Sequence, residues 1–190
     1  MTVPSDEELA EMVVFSNAVE KVFEGPGHSL FDDHFKAACA VRDAGKLLTP
    51  KQIHKLLMRR QLPDAGEYRT KEIDVVGKST PPRQMPRATA VYRLMVELDV
   101  MVRSAIEVCT KPDRHPTECA VTARILHAHG LCIHPFSDGN GRTLRLWWNQ
   151  LRQHFGLPWE HVPFDGHAAY YRDIQEYEDR VFKSRYPTVY

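Results

Sequence analysis

A histidine, an aspartate, two glycines around an asparagine and two arginines fall within one short run, His134-Pro135-Phe136-Ser137-Asp138-Gly139-Asn140-Gly141-Arg142-Thr143-Leu144-Arg145. Gly139, Asn140 and Gly141 readily take backbone angles that turn successive N–H groups to one side. Such a nest at a helix N-terminus attracts anions, phosphates above all. Arg142 and Arg145, three residues apart, share a face of the helix that follows. Asp138 would repel bare phosphate, but it suits a hard cation such as Mg²⁺ held between one carboxylate and phosphate oxygens. His134, with an ordinary pKa of about 6.5, can take a proton near neutral pH, which suits a general base acting on a hydroxyl that attacks phosphorus. The run lacks the lysine of a P-loop, and its Asp-Gly-Asn-Gly has no oxygen ligands at the later positions of a calcium loop.

These groups need two helices to hold them. Apolar residues from Ala128 to Ile133 close one helical segment, and Leu144, Trp147, Trp148, Leu151 and Phe155 recur at helical spacing in the next. That spacing leaves Arg142, Arg145, Asn149 and Arg152 on the opposite face, turned toward the anion. Upstream, Ser5 with Glu8 three residues on is a capping signal, and a helix can run from there toward Glu24, stopped by Gly25-Pro26-Gly27. A second helix is expected over 29–44, and a third from Thr49-Pro50 through Ile53, Leu56 and Leu57. Residues 62–82 break the pattern with prolines and glycines around β-prone runs at Tyr68 and 73–76, which reads as a small hairpin. Val91, Leu94, Leu98, Met101, Ala105 and Val108 then mark a long helix, and Pro116 opens the helix that delivers the chain to His134. Asp165-Gly166 starts a last amphipathic helix with Tyr170, Tyr171, Ile174 and Tyr177.

The chain has 190 residues, 43% of them hydrophobic, which fits one domain, 1–190, with a sizeable core. Lys and Arg total 25, as do Asp and Glu, so bulk binding to nucleic acid or to an anionic membrane is not expected and any anion site must be local. Cys39, Cys109, Cys119 and Cys132 form no C-x-x-C pair and read as reduced thiols. With an acidic start at Asp6, Glu7 and Glu8 and no apolar run of membrane-spanning length, the expected setting is cytoplasmic, which leaves secretion into a host cell open. His127, His129, Cys132 and His134 are a poor zinc set, because i and i+2 neighbours diverge on a helix.

The run from His134 to Arg145 resembles the signature of Fic domain proteins, His-Pro-Phe-x-Asp/Glu-Gly-Asn-Gly-Arg-x-x-Arg, at every specified position. The segment from Gly66-Glu67-Tyr68-Arg69 to Pro81-Pro82 resembles the family's flap. The resemblance implies a mainly α fold, a helical bundle with a small β-hairpin flap over the active site. It also implies an enzyme that moves AMP from ATP onto a protein Tyr, Thr or Ser hydroxyl. His134 would be the base, Asp138 the Mg²⁺ ligand, Gly139, Asn140, Gly141 and Arg142 the phosphate cradle, and Arg145 the partner of the γ-phosphate. Tyr170 or Tyr171 would stack on adenine, and the flap edge Ile73, Asp74, Val75, Val76 and Gly77 would hold the target by strand-like pairing. Transfer of UMP, phosphocholine or phosphate, and a non-enzymatic nucleotide-binding module, are the alternatives; Gly141 stands where the phosphate-transferring relatives carry lysine. Ser16-Asn17-Ala18-Val19-Glu20 resembles the start of the family's inhibitory helix, Ser/Thr-x-x-x-Glu-Gly/Asn, whose glutamate pairs with the second motif arginine. Lys21 departs from it, so the inhibitor within residues 1–25 is Glu20 or, if the helix continues, Glu24. Its removal should raise transfer and self-modification. Neither the target protein nor an oligomeric state is written in these residues.

Overall fold

The computed structural model describes residues 3–75, 83–162 and 166–190. Helix α1, Asp6–Val19, begins where the capping signal lies: Ser5 Oγ accepts from Glu8 N–H at 3.2 Å and Glu8 Oε2 from Ser5 N–H at 2.7 Å. Its end departs from expectation, since it stops at Val19 instead of running toward Glu24. Lys21 takes the left-handed conformation, φ 59°, that usually falls to glycine. With it, Val22 N–H reaches back to Asn17 O and Lys21 N–H to Ala18 O, both at 3.0 Å, the paired bonds that close a helix C-terminus. Glu20 is therefore the C-cap, and Glu24 lies beyond it, exposed.

Helix α2, Ser29–Arg42, packs on α1, and α3, Pro50–Met58, packs on α2. Thr49 and Gln52 form a second capping box, with Pro50 in the first turn. The hairpin consists of β1, Asp74–Val75, antiparallel to β2, Arg83–Gln84, with Asp74 opposite Gln84 and Val75 opposite Arg83. Of the expected flap edge, Val76 and Gly77 lie outside the described residues, as do Pro81 and Pro82. Helices α4, Ala88–Cys109, and α5, Pro116–Ile133, follow. Then come α6, Asn140–His154, and α7, His167–Tyr177, which passes through one π-helical turn, Glu178–Phe182, into the short α8, Lys183–Arg185. The fold is mainly α, with the hairpin a minor part.

Helix α6 is the axis. Helix α5 lies along it, and α1, α2 and α3 close its other sides, so that every residue from Arg142 to Arg152 is buried. The sequence pattern suggests a polar face turned wholly to an anion, and this is only half of what is found. A helix buried all round must satisfy its polar groups within the protein. Asn149 exchanges two hydrogen bonds with the Glu160 backbone, 2.9 and 2.7 Å, and Arg152 donates to Pro158 O at 2.9 Å and pairs with Glu160. Both hold the loop after α6, while Gln150 receives Leu48 N–H at 2.9 Å. Only Arg142 and Arg145 are left for an anion. The four cysteines are free thiols, and no helix among the described residues is long and apolar enough to cross a membrane.

Candidate active site

The loop between α5 and α6 is folded by its own side chains. Helix α5 ends at His134 in the left-handed region, φ 51° and ψ 63°, where a non-glycine residue is strained, and Gly139 turns the same way at φ 70°. Asn140 closes the loop: its Oδ1 accepts from Phe136 N–H and its Nδ2 donates to Phe136 O, both at 2.8 Å. Phe136 is fully buried and stacks on His54, ring centroids 3.9 Å apart. His54 Nδ1 accepts Gly66 N–H at 2.8 Å, which fixes the tautomer, so Nε2–H donates to Asp138 O at 3.0 Å. Arg69 ties the same loop to the flap base. Its Nε donates to His134 O at 2.8 Å and its Nη2 to Pro86 O at 2.5 Å, while its own N–H donates to Pro135 O at 2.9 Å. The sequence gives no spacing rule that links His54 or Arg69 to the loop; the Gly66-Glu67-Tyr68-Arg69 run is the one signal that touches either.

His134 Nδ1 lies 3.4 Å from Leu131 O, to which it donates, so Nε2 keeps the lone pair. Burial, and then the Arg83 guanidinium, push its pKa down to about 4, with Glu20 pulling the other way. The imidazole is neutral at pH 7. Arg83 reaches this position from β2 through a 2.5 Å ion pair with the buried Glu178 in the π-helical turn. Asp138 is exposed at the loop edge, one carboxylate oxygen accepting Gly139 N–H at 2.6 Å. No group of three His, Cys, Asp or Glu side chains that could hold a metal occurs among the described residues. A single exposed carboxylate fits a Mg²⁺ ion that keeps water and phosphate oxygens as its other ligands.

An anion already sits at the α6 N-terminus. Glu20 Oε1 is 2.7 Å from Arg145 Nη2, and a Cβ added at Gly141 would collide with that same carboxylate. Arg145 also donates through Nε to Ser16 Oγ and through Nη2 to Ser16 O, both at 2.9 Å. Burial drives the Glu20 pKa up, but Arg145 and Arg142 together hold it below the ordinary carboxylate value. Arg142 Nε and Nη1 and Arg145 Nη1 are buried without a hydrogen-bond partner, donors turned toward a site with too few acceptors. Of the two tyrosines expected on adenine, Tyr170 is 8% exposed with its hydroxyl 2.7 Å from His127 Nε2, so its ring is not open to a base. Tyr171 is 37% exposed. His127 and His129 diverge, to Leu144 O and Tyr170 on one side and to Tyr177 on the other.

A family model described as Fic/DOC matches residues 49–151, more than half of the chain. The chain belongs to the Fic/DOC family. Among curated relatives, protein adenylyltransferase Fic of Drosophila willistoni is 31% identical over 125 residues, covering 65% of this chain and 23% of that protein. Protein adenylyltransferase fic-1 of Caenorhabditis briggsae is 32% identical over 124 residues, covering 65% and 22%. The Fic chain described above thus spans less than a quarter of the length of these relatives. Among solved structures, a Fic domain containing signalling protein from Bacteroides thetaiotaomicron superposes with a TM-score of 0.71 at 18% identity, over 92% of this chain and 73% of that one. Fic-1 of C. elegans superposes at 0.62 and 19% identity, over 90% and 55%. Both share the fold.

Proposed function

We propose that the chain is a protein adenylyltransferase, moving AMP from ATP onto a Tyr, Thr or Ser hydroxyl of a target protein. The observation that carries this reading is the carboxylate of Glu20 lying against Gly141 and paired with Arg145, an anion in the cradle that a phosphate would fill. The names of the relatives, protein adenylyltransferases, point the same way at the level of the family. In the reaction, His134 Nε2 takes the hydroxyl proton as that oxygen attacks the α-phosphorus. The bond between the α-phosphorus and the bridging oxygen breaks, and pyrophosphate leaves. Asn140 and Gly141 offer N–H groups to the phosphates, the Gly139 N–H being held by Asp138, and the unpartnered Nε and Nη1 of Arg142 take up charge growing on the leaving group. Asp138 would hold Mg²⁺, which neutralises phosphate charge when bound. The strand edge at Ile73, Asp74 and Val75, continuing toward Val76 and Gly77, would align the target backbone. Tyr171 would lie on adenine.

Glu20 is the brake in this reading. Its pair with Arg145, with Ser16 as second partner, takes the N–H groups that a γ-phosphate needs. Incubation with α-labelled ATP tests the reading. Glu20→Gly should label itself or added protein more strongly than the parent, and adding His134→Ala should abolish labelling while nucleotide still binds. Labelling that survives loss of His134 overturns the assignment, and UTP, GTP and CDP-choline in parallel identify the donor.

A further inference from the structure

Helix α4 turns one side to the core and leaves the other uncovered. Val91, Leu94, Leu98, Val102 and Cys109 are buried, whereas Tyr92, Val96, Val100 and Val108 are 71, 48, 59 and 58% exposed. Single apolar residues on a surface are ordinary, but a run of them along one helix is not. Beside it, α5 exposes Val121 and Ile125, so that six of the eleven large apolar side chains exposed among the described residues stand on these two helices. Val96, Val100, Val108 and Ile125 border one groove of about 540 Å³ between them.

The charges on α4 say what kind of surface would cover it. The helix carries five: Arg93, Glu97, Asp99, Arg103 and Glu107. Counted from Val100, an arginine and a glutamate stand seven residues to either side, and a glutamate and an arginine three residues to either side. Reversing the helix therefore exchanges the signs, with Asp99 alone unmatched. Pairing within the helix accounts for Arg93 with Glu97 at 2.8 Å and for Arg103 with Asp99 at 2.6 Å. It leaves Glu107, exposed and without an ion-pair partner among the described residues.

Seven residues make almost two full turns, so Arg93, Val100 and Glu107 point the same way. Where two α4 helices cross antiparallel at Val100, valine meets valine. Arg93 of each copy then meets Glu107 of the other, about 10 Å along the axis to either side. Breaking the Arg93–Glu97 pair costs little, since it lies at the surface, and Glu97 keeps the Tyr186 hydroxyl at 2.9 Å.

We infer that the exposed face of α4, with Ile125 of α5 beside it, is an interface between two copies of this chain related by a twofold axis at Val100. A twofold interface sets one patch against itself, so each charge must find its opposite at the mirrored position, and α4 has that arrangement. The inference stands apart from the adenylyltransferase reading and uses none of its residues.

Sedimentation equilibrium of the full chain tests it. The parent should shift from the mass of one 21.9 kDa chain toward that of two as its concentration rises through roughly 10–100 μM, the range of a modest interface. Val100→Asp should remove the dimer. R93E sets glutamate against glutamate at both ends of the pair, and E107R sets arginine against arginine; each alone should weaken association about tenfold or more. Mixed in equal amounts, the two variants should associate again, because every contact then joins unlike charges. One chain carrying both changes should do the same. A parent that stays monomeric throughout this range overturns the inference, and so does a mixture no heavier than its components, whether the face then serves another protein or none. Arg93 and Glu107 are both exposed, so neither change disturbs the core and the mixing result decides.

Discussion

Arg83 and Glu20 act on the His134 ring in opposite senses, the cation lowering its proton affinity and the carboxylate raising it. Replacing Arg83 together with its buried partner, R83Q with E178Q so that no carboxylate is stranded, removes the cation that penalises the imidazolium. The imidazolium then forms at higher pH, and the acid limb of the kcat/KM profile should move up. Glu20→Gly alone should move it down, because a group favouring the imidazolium has gone. Profiles that shift the same way in both variants, or in neither, contradict this account of the ring. Gly141 gives a purely steric case. A methyl group there would meet Glu20 Oε1 at an impossible distance and Arg145 Nη1 at 3.0 Å. Gly141→Ala should therefore expel the carboxylate and speed amide hydrogen exchange in the last turn of α1, whatever it does to nucleotide binding.

Helix α1 is held by a capping box at one end and by a lysine in a glycine's conformation at the other. Ser5→Ala should cost about 1 kcal/mol of helix stability. Because Ser5 lies far along the helix from Glu20, any rise in AMP labelling it causes would come through fraying of α1 rather than through a change in the site. The capping box at Ser5 was readable from sequence because its partners lie three residues apart, within one turn, and the start at Thr49 because Pro50 follows it. The stop at Lys21 was not, since side-chain propensity argues against it and the gain lies in bonds back to Asn17 and Ala18. The loop from His134 to Arg145 was legible because its residues are contiguous. His54 and Arg69 were not, because what they do depends on meeting Asp138 and His134 from 84 and 65 positions away. Arg69→Met should strip hydrogen bonds from the carbonyls of His134, Ile133 and Pro86 at once. The expected loss is roughly 3 kcal/mol in denaturant unfolding, together with a slower transfer rate as His134 loses its orientation.

Five histidines, His34, His54, His127, His129 and His134, have pKa values held below the ordinary range, burial being the first cause in each. His127 sits near 3, and His129 and His134 near 4. For such groups the unfolded chain binds the proton more readily, so their contribution is whole above pH 6.5 or so and is lost as pH falls toward 4. The slope is at most about 1.4 kcal/mol per pH unit for each histidine. The thermal midpoint should therefore drop steeply below about pH 6; a flat midpoint down to pH 4.5 or so would contradict the burial of these rings. The grip of α1 on Arg145 has one more consequence, which belongs to thermodynamics rather than to geometry. Ser16 and Glu20 hold the N–H groups of Arg145; on the proposed reading a terminal phosphate would need them, so docking of the helix and productive seating of ATP would exclude each other. By reciprocity, whatever affinity α1 removes from the nucleotide, the nucleotide must remove from α1. ATP would then be a ligand that tightens one part of its protein while loosening another, protecting the amides of α6 from exchange and exposing those of α1.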